Sequence, residues 1–573
     1  MTGTPTKRSH GASRSTRALI ALSAAWVGAL VSLLAMVPPA GATSYVPVSG
    51  EGSSWSANIL DQWIANVQQN GMRINFTANG STTGREDWIK GLTDFAASDI
   101  PFQTNPGDGS APESPTAGSY AYMPITAGGT VFMYNLTING QRVTNLRLSG
   151  QNIAKIFTGA ITNWDDPAVA ADNPGLKLPN QTIVPVVRSD GAGSSYFLTQ
   201  WMISQYPSAW NAYCSKAGRA PACGATSFYP TVAGSSMIAQ SGDLGVSGYV
   251  SQNYANGAIG YVNYSYALAD KFPVAQMLNA AGYYTEPTAQ NVAVSLLQDK
   301  VDTTDVNNPA LYLTQNLSGV YGDPDPRTYP LSEYGYLILP TKVEGQFTTA
   351  KGATLAAFSY YAMCQGQQDA AALGYSPMPV NLVEATFDQI GKVPGGSGTA
   401  PSITGCNNPT FSTGTGTNVN LLAQTAPYPP ACDKQGPTQC TTGTGGASVA
   451  TPVSAGSSEA KSGITASAVS GTSHGSAASA STGAGTSSGA TATSSTSAPT
   501  SSAASSSSSC DVQSGGCDSS AASGAAPTAA TQTLPVGTGW SITQSLMVLI
   551  ILVILAVIFI PGIVSRRANR QEP

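Results

Sequence analysis

Arg188 and Asp190 open the stretch RSDGAGSSYF, where a guanidinium and a carboxylate stand against two glycines and two serines. Two turns of similar make-up lie upstream: GSSWSANILDQWIANV from Gly52, and NGSTTG within RINFTANGSTTGREDWIKGL. Helix N-termini leave backbone N–H groups unpaired and carry a partial positive charge, so they suit a small anion. Short hydroxyl side chains add donors, and glycine lets the backbone come close. One such turn is ordinarily a capped helix start. Three of them, with Arg188 and Asp99 as the charges nearby, point to an oxyanion site. Asp99, in FAASDIPF, is an unexpected companion, since an ionised carboxylate repels a fully deprotonated anion. It does accept a hydrogen bond from an oxyanion that keeps a proton. Donors plus one carboxylate therefore select anions that are still protonated near neutral pH.

What the chain lacks narrows the chemistry. Its two histidines are His10 and His474, so residues 43–440 contain none. Ser-His-Asp and Cys-His hydrolases are excluded there, as is a histidine-bound metal. No G-K-[ST] phosphate loop occurs, and no S-x-x-K stands beside the three turns. A net charge of −5 argues against a nucleic-acid surface.

The elements that position these residues follow from periodicity. Ile59, Leu60, Trp63 and Ile64 recur at helical spacing behind Ser54, which stands where an N-cap belongs. Ile74, Phe76 and Ala78 alternate as a strand, Gly80 to Gly84 turn, and a helix is predicted from near Arg85. IVPVVR reads as a strand, SDGAGSS as its turn and YFLTQWMISQY as a helix. Strand–turn–helix units of this kind indicate α/β architecture, with the ligand outside the carboxyl ends of the strands.

Both ends of the chain differ from this middle. Residues 1–42 read as a cleaved export signal: Lys7, Arg8, Arg14 and Arg17, then an apolar run from Ala18 to Val37, then Ala40-Gly41-Ala42. Leu546 to Val564 is 19 residues without a charge, enough for one membrane helix. Arg566, Arg567 and Arg570 place the tail 565–573 in the cytoplasm, with Trp540 near the outer interface. Residues 441–540, rich in Ser, Ala, Gly and Thr, read as a disordered stalk spanning roughly 50–60 Å. Within it LPVGTG resembles a sortase signal interrupted by Gly537, and a plain membrane anchor is the favoured reading.

The eight cysteines all lie in the exported part. Cys214 neighbours Cys223, Cys432 neighbours Cys440 and Cys510 neighbours Cys517, leaving Cys364 and Cys406. Disulfides are expected, although spacing does not fix their pairing. Residues 43–440 remain as the folded part, large enough for two lobes.

Seven segments in fixed order carry a resemblance. GSSWSA, NGSTTG, DFAASDIP, LSGQNIAKIFTGAITNWDDPAVAADNPG, RSDGAGSS, GAIGYVNYSYA and YPLSEYGYLILP resemble the phosphate-binding protein of the phosphate ABC importer, over roughly residues 45–410. The C-terminal helix suggests an actinobacterial-type, membrane-anchored form. The resemblance implies a two-lobed periplasmic-binding-protein fold of the second topological type, closing around one phosphate, with no cofactor or metal. It implies lobe one at 45–127 and 267–410, lobe two at 128–266 and a tail at 411–440, with crossings near Gly128–Asn135 and Gly260–Tyr266.

The resemblance also assigns roles. Ser54, the backbone of Trp55, and Ser81 contact phosphate, and Asp99 is the hydrogen-bond acceptor that senses its proton. Arg188 supplies the cation, oriented by Asp190, while Gly193 and Ser194 donate from the third turn. Trp55 stands where the family usually has phenylalanine, and Ser54 and Ser194 where it has threonine. Ala192 replaces a serine whose hydroxyl contacts the anion; its N–H survives, and the lost donor costs about 1–2 kcal/mol. The expected role is capture of phosphate outside the cell, on a single-pass anchor, and delivery to permease and ATPase subunits. A tethered sensor or wall-associated sequestering protein is the alternative. An enzyme acting on phosphate esters is disfavoured.

Overall fold

A computed structural model of the chain describes residues 45–396, 400–411, 420–447 and 449. The predicted leader, nearly all of the stalk, the segment 546–564, the tail 565–573, LPVGTG, and the pair Cys510 and Cys517 lie outside the described residues. Among those described, no helix is long and apolar enough to cross a membrane.

The first lobe starts with β1 (Val48–Gly52), α1 (Ala57–Gln68), β2 (Ile74–Thr77), α2 (Ser81–Ile89) and β3 (Phe95–Ser98). β1 pairs in parallel with both β2 and β3, so the carboxyl ends of all three open on one side. α1 buries Ile59, Leu60, Trp63 and Val67 along one face, the stripe expected of a helix packed on a sheet. Next comes β4 (Tyr120–Tyr134), 15 residues long and buried throughout.

The second lobe repeats the pattern with β5 (Val184–Arg188), α3 (Gly193–Gln205), β6 (Ile238–Gln240), α4 (Gly242–Val250), β7 (Ala258–Asn263) and β8 (Val274–Leu278). The chain then re-enters the first sheet as β9 (Ser332–Pro340). Strand order is β2-β1-β3-β9-β4-β7-β5-β6. β4 joins the halves: residues 120–129 pair with β9, and Thr130 to Tyr134 pair with β7. One core gathers Trp55, Trp63, Phe95, Tyr336 and Phe358, the other Phe132, Trp164, Trp201 and Tyr261. The molecule is thus a two-lobed α/β protein.

Packing departs from the expected division at residue 267. Phe272, Val274, Met277, Leu317, Tyr329 and Leu331 all belong to the second core. The cause is β8, which pairs with β4 at Phe132 and Met133 and draws the chain back onto the second lobe. Val292 and Leu313 already touch the first core, so the stretch before β9 is shared.

Three helix starts also differ. α3 begins at Gly193, three residues ahead of Tyr196, so Gly193, Ser194 and Ser195 of the expected turn are helical. α2 begins at Ser81, four residues ahead of Arg85. Gly84, read as part of a turn, is a helical residue at a close crossing, where an added Cβ would lie 2.4 Å from the Gly52 Cα. The N-cap of α1 is Ser56, two positions after Ser54.

Among the described residues three disulfides join Cys214–Cys223, Cys364–Cys406 and Cys432–Cys440. The packed region also runs past the expected stalk boundary at 441. Thr444 is buried, its hydroxyl donating to Val274 O at 2.6 Å, and Gly445 N–H donates to Glu286 Oε2 at 2.7 Å.

Candidate anion site

All three turns meet where the carboxyl ends of the two sheets face each other. At the first, Gly52 adopts φ +135° and passes so close to β3 that a Cβ would lie 2.0 Å from Ala97 O, so only glycine fits. The bend sends consecutive hydroxyls in different directions. Ser53 Oγ donates to Asp99 Oδ1 at 2.6 Å and accepts the Trp55 N–H at 3.1 Å. Ser54 Oγ crosses to the other lobe and donates to Asp243 Oδ2 at 2.6 Å. It accepts from Asp243 N–H at 3.0 Å and from Arg188 at 2.9 Å. The Trp55 indole turns away and donates to Thr130 Oγ1 at 3.1 Å.

The second turn brings Ser81 Oγ to Asp99 Oδ2 at 3.1 Å. Gly80, φ +100°, passes so close to Asp190 that a Cβ would lie 2.6 Å from its Oδ2. Thr82 N–H donates to Gly191 O at 3.0 Å, a backbone link between lobes. Arg85 is committed elsewhere, forked onto Glu113 at 2.8 Å.

The third turn supplies Arg188. Its guanidinium is gripped by Asp190 through Nε at 2.8 Å and by Asp243 at 2.6 Å, and it lies 3.4 Å from Ser194 Oγ. Burial opposes its charge, but Asp243 and Asp190 more than offset that and hold it above the usual arginine range. Asp190 is held low by Arg188 despite its own burial. α3 begins beside Asp99, where a Cβ on Gly193 would lie 2.6 Å from Asp99 Oδ2. The N–H groups of Gly193, Ser194 and Ser195 form the first turn of that helix and have no intrahelical acceptor.

Asp99 is buried and meets no cation directly among the described residues. Burial pushes its carboxyl up to about 6; the Asp243 charge adds to that, while Ser53, Ser81 and Arg188 oppose it. A carboxyl so poised can accept from, or share a proton with, an oxyanion.

Ser54, Ser81, Asp99, Arg188, Asp190, Gly193 and Ser194 are therefore brought together. Two expected donors point elsewhere. The N–H of Ala192 is spent on Ser227 O at 3.0 Å, because Ala192 is the N-cap of α3 and its backbone faces the Ser227 loop. The Trp55 N–H is taken by Ser53.

Two residues were missed. Ser53 is indistinguishable from Ser54 in the string GSSW. Asp243, fully buried, also accepts from Asn263 N–H at 2.8 Å. Its only local signal is an acidic first-turn residue in SGDLGV, an ordinary helix start.

A family model described as a PBP superfamily domain matches residues 37–365. The phosphate-binding protein PstS of Xylella fastidiosa strain Temecula1 is 30% identical over 350 residues, covering 61% of this chain and 85% of that protein. Phosphate-binding protein PstS 2 of Mycobacterium tuberculosis is 28% identical over 332 residues, 57% of this chain and 82% of that one. Among solved structures, a phosphate-binding protein from Stenotrophomonas maltophilia aligns at 19% identity and TM-score 0.45, covering 60% of this chain and 93% of that one. With a family model over more than half of its length and a relative matched over 85% of its own, the chain belongs to the PBP superfamily, among its PstS-like phosphate-binding proteins.

Proposed function

We propose that this protein captures inorganic phosphate outside the cytoplasm and delivers it to an ABC-type phosphate importer. It is a binding protein and not an enzyme. The observation that carries the reading is the meeting of Arg188, the first turn of α3 and the buried Asp99 between two lobes. Donors and a cation hold the anion, and Asp99 tests for its remaining proton. Ser54, Ser81, Gly193 and Ser194 would supply donors, and Asp190 would orient Arg188. Trp55 would act by packing, and Ala192 by leaving room. Ser54 would release Asp243 to reach the ligand. Permease and ATPase subunits would be the partners.

The strand order of the first sheet agrees with the second topological type of binding-protein fold. The apolar segment 546–564 and the low-complexity stretch before it support an extracellular domain on a single-pass anchor, the actinobacterial-type form. The same features favour a second reading, a tethered sensor that does not deliver. Tight phosphate binding with no transporter subunit co-purifying would favour that one.

The test is calorimetric titration of purified, ligand-stripped protein with phosphate and then sulfate. Phosphate binding with sulfate rejected is expected. No heat with phosphate would sink the reading.

A further inference from the structure

Glu333 lies on β9, opposite Gly128 of β4, at the junction of the two lobes. It is 1% exposed. Its Oε1 accepts the Thr130 hydroxyl at 2.7 Å, and Thr130 in turn accepts the Trp55 indole N–H. Its Oε2 is buried and has no hydrogen-bond partner. No ion pair of Glu333 with a cation occurs among the described residues. A buried carboxylate with one neutral donor is a costly state, and the usual escape is to keep a proton.

Part of its surroundings comes from the second lobe. The small cavity beside it, about 10 Å³, is lined by Phe197 and Leu198 of α3 and by Leu317, Tyr321 and Leu331. All five belong to the second core, while β9 is central to the first sheet. That volume is at the lower limit for one water, and the lining is mostly apolar. Phe197 and Leu198 are carried by α3 of the second lobe, so the wall they form beside Glu333 depends on the lobes being together.

The charges that face it are of one sign. Asp99 follows β3 and Asp243 is on α4; the Tyr321 phenol of the second lobe stays neutral because burial raises it, and Arg188 is already shared by Asp190 and Asp243. Burial, then Asp99 and Asp243, raise the Glu333 carboxyl well above its ordinary range, against the Thr130 hydrogen bond.

We infer that Glu333 takes up a proton as the lobes close over phosphate, making it a second proton-bearing positioning residue of the site. It does so without touching the ligand. The inference rests on the phosphate reading above. A group whose closed-state pKa exceeds its open-state value favours closure at low pH, and this contribution fades as pH rises through the closed-state value. Each proton taken up makes affinity fall by up to about tenfold per pH unit across that window.

The experiment is calorimetry of the full-length protein with phosphate between about pH 5.5 and about pH 8.5. Buffers of different ionisation heat give the protons taken up per phosphate bound. Glu333→Gln should take up fewer protons, by up to one, and its affinity should fall less steeply with pH. Binding with unchanged uptake and slope in Glu333→Gln would overturn the inference alone. No phosphate binding by the native protein would sink the parent reading and this one together.

If Glu333→Gln does not fold, infrared difference spectra of the native protein decide. Phosphate should produce a protonated-carboxyl band that shifts in Thr130→Ala, which removes the hydroxyl on Oε1. A missing band, or one indifferent to Thr130→Ala, overturns the assignment.

Discussion

Ser54 and Asp243, 189 residues apart and on opposite lobes, share a 2.6 Å hydrogen bond. Asp243 also holds Arg188 at 2.6 Å, so one buried carboxylate fixes both the first turn and the cation of the third. The bond thus records closure as well as site assembly.

Removing that carboxylate should be expensive. Asp243→Ala leaves the Arg188 charge with Asp190 alone, and breaking a buried pair from one side costs about 3–5 kcal/mol. Denaturant unfolding of the ligand-free protein measures this directly. A loss below about 1 kcal/mol would mean that Asp190 suffices to anchor the guanidinium.

Asp99 gives a pH-dependent prediction. Burial raises its carboxyl to about 6, so the folded protein keeps a proton that the unfolded chain releases near the ordinary value of 3.8. Stability from this group is full below 3.8 and is lost as pH rises through about 6. Across that window the native protein should lose on the order of 1–3 kcal/mol more than Asp99→Asn. Parallel melts of the two proteins from acid to neutral pH, without phosphate, make the comparison. Parallel stability curves would show that Asp99 is not buried as a lone carboxyl.

How much of this site could be read beforehand depends on distance along the chain. The turns themselves were legible, because strand, glycine turn and helix are contiguous in each. Asp99 stood out as an acid among small residues. What was not legible depends on geometry that no window contains. Whether Ser53 or Ser54 faces Asp99 is set by the Gly52 bend, and Asp243 becomes part of the site only when the lobes meet. The Gly84 reading failed for a similar reason: glycine there serves a helix crossing at Gly52, not a turn. The packing of residues after 267 on the second core was not legible either, because β8 pairs with Phe132 and Met133 of β4, a long-range choice.

A further inter-lobe contact lies at the rim. Arg219 donates to Asp108 O at 2.8 Å and pairs with its carboxylate at 3.3 Å, beside a Gly224 N–H to Gly107 O bond at 3.0 Å. Arg219 is partly exposed, so its pair is worth about 1 kcal/mol or less. Arg219→Ala should therefore speed phosphate release by about 2–5-fold and leave the association rate nearly unchanged. Stopped-flow release kinetics test it, and high salt should narrow the difference between the two proteins. Equal release rates at low salt would remove the rim from any account of closure.

Ala192 offers the sharpest test of the donor set. It caps α3 with an extended backbone, the conformation in which serine caps best, and its side chain is buried beside the site. A hydroxyl restored by Ala192→Ser has two possible uses, and they separate experimentally. Turned to the anion, it adds one donor and should tighten phosphate binding by about 3–10-fold. Turned back onto the N–H groups of α3, it stabilises the empty protein by about 1 kcal/mol and competes with the ligand for the same donors. The two lobes converge on the start of α3, and Arg188 lies 3.4 Å from the Ser194 hydroxyl, so the anion is the better partner for a new donor. Tighter binding is the expected result, read by calorimetry beside a thermal melt without phosphate. A raised melting temperature with weaker binding would mean that the first-turn N–H groups, not the side-chain hydroxyls, are what the anion needs.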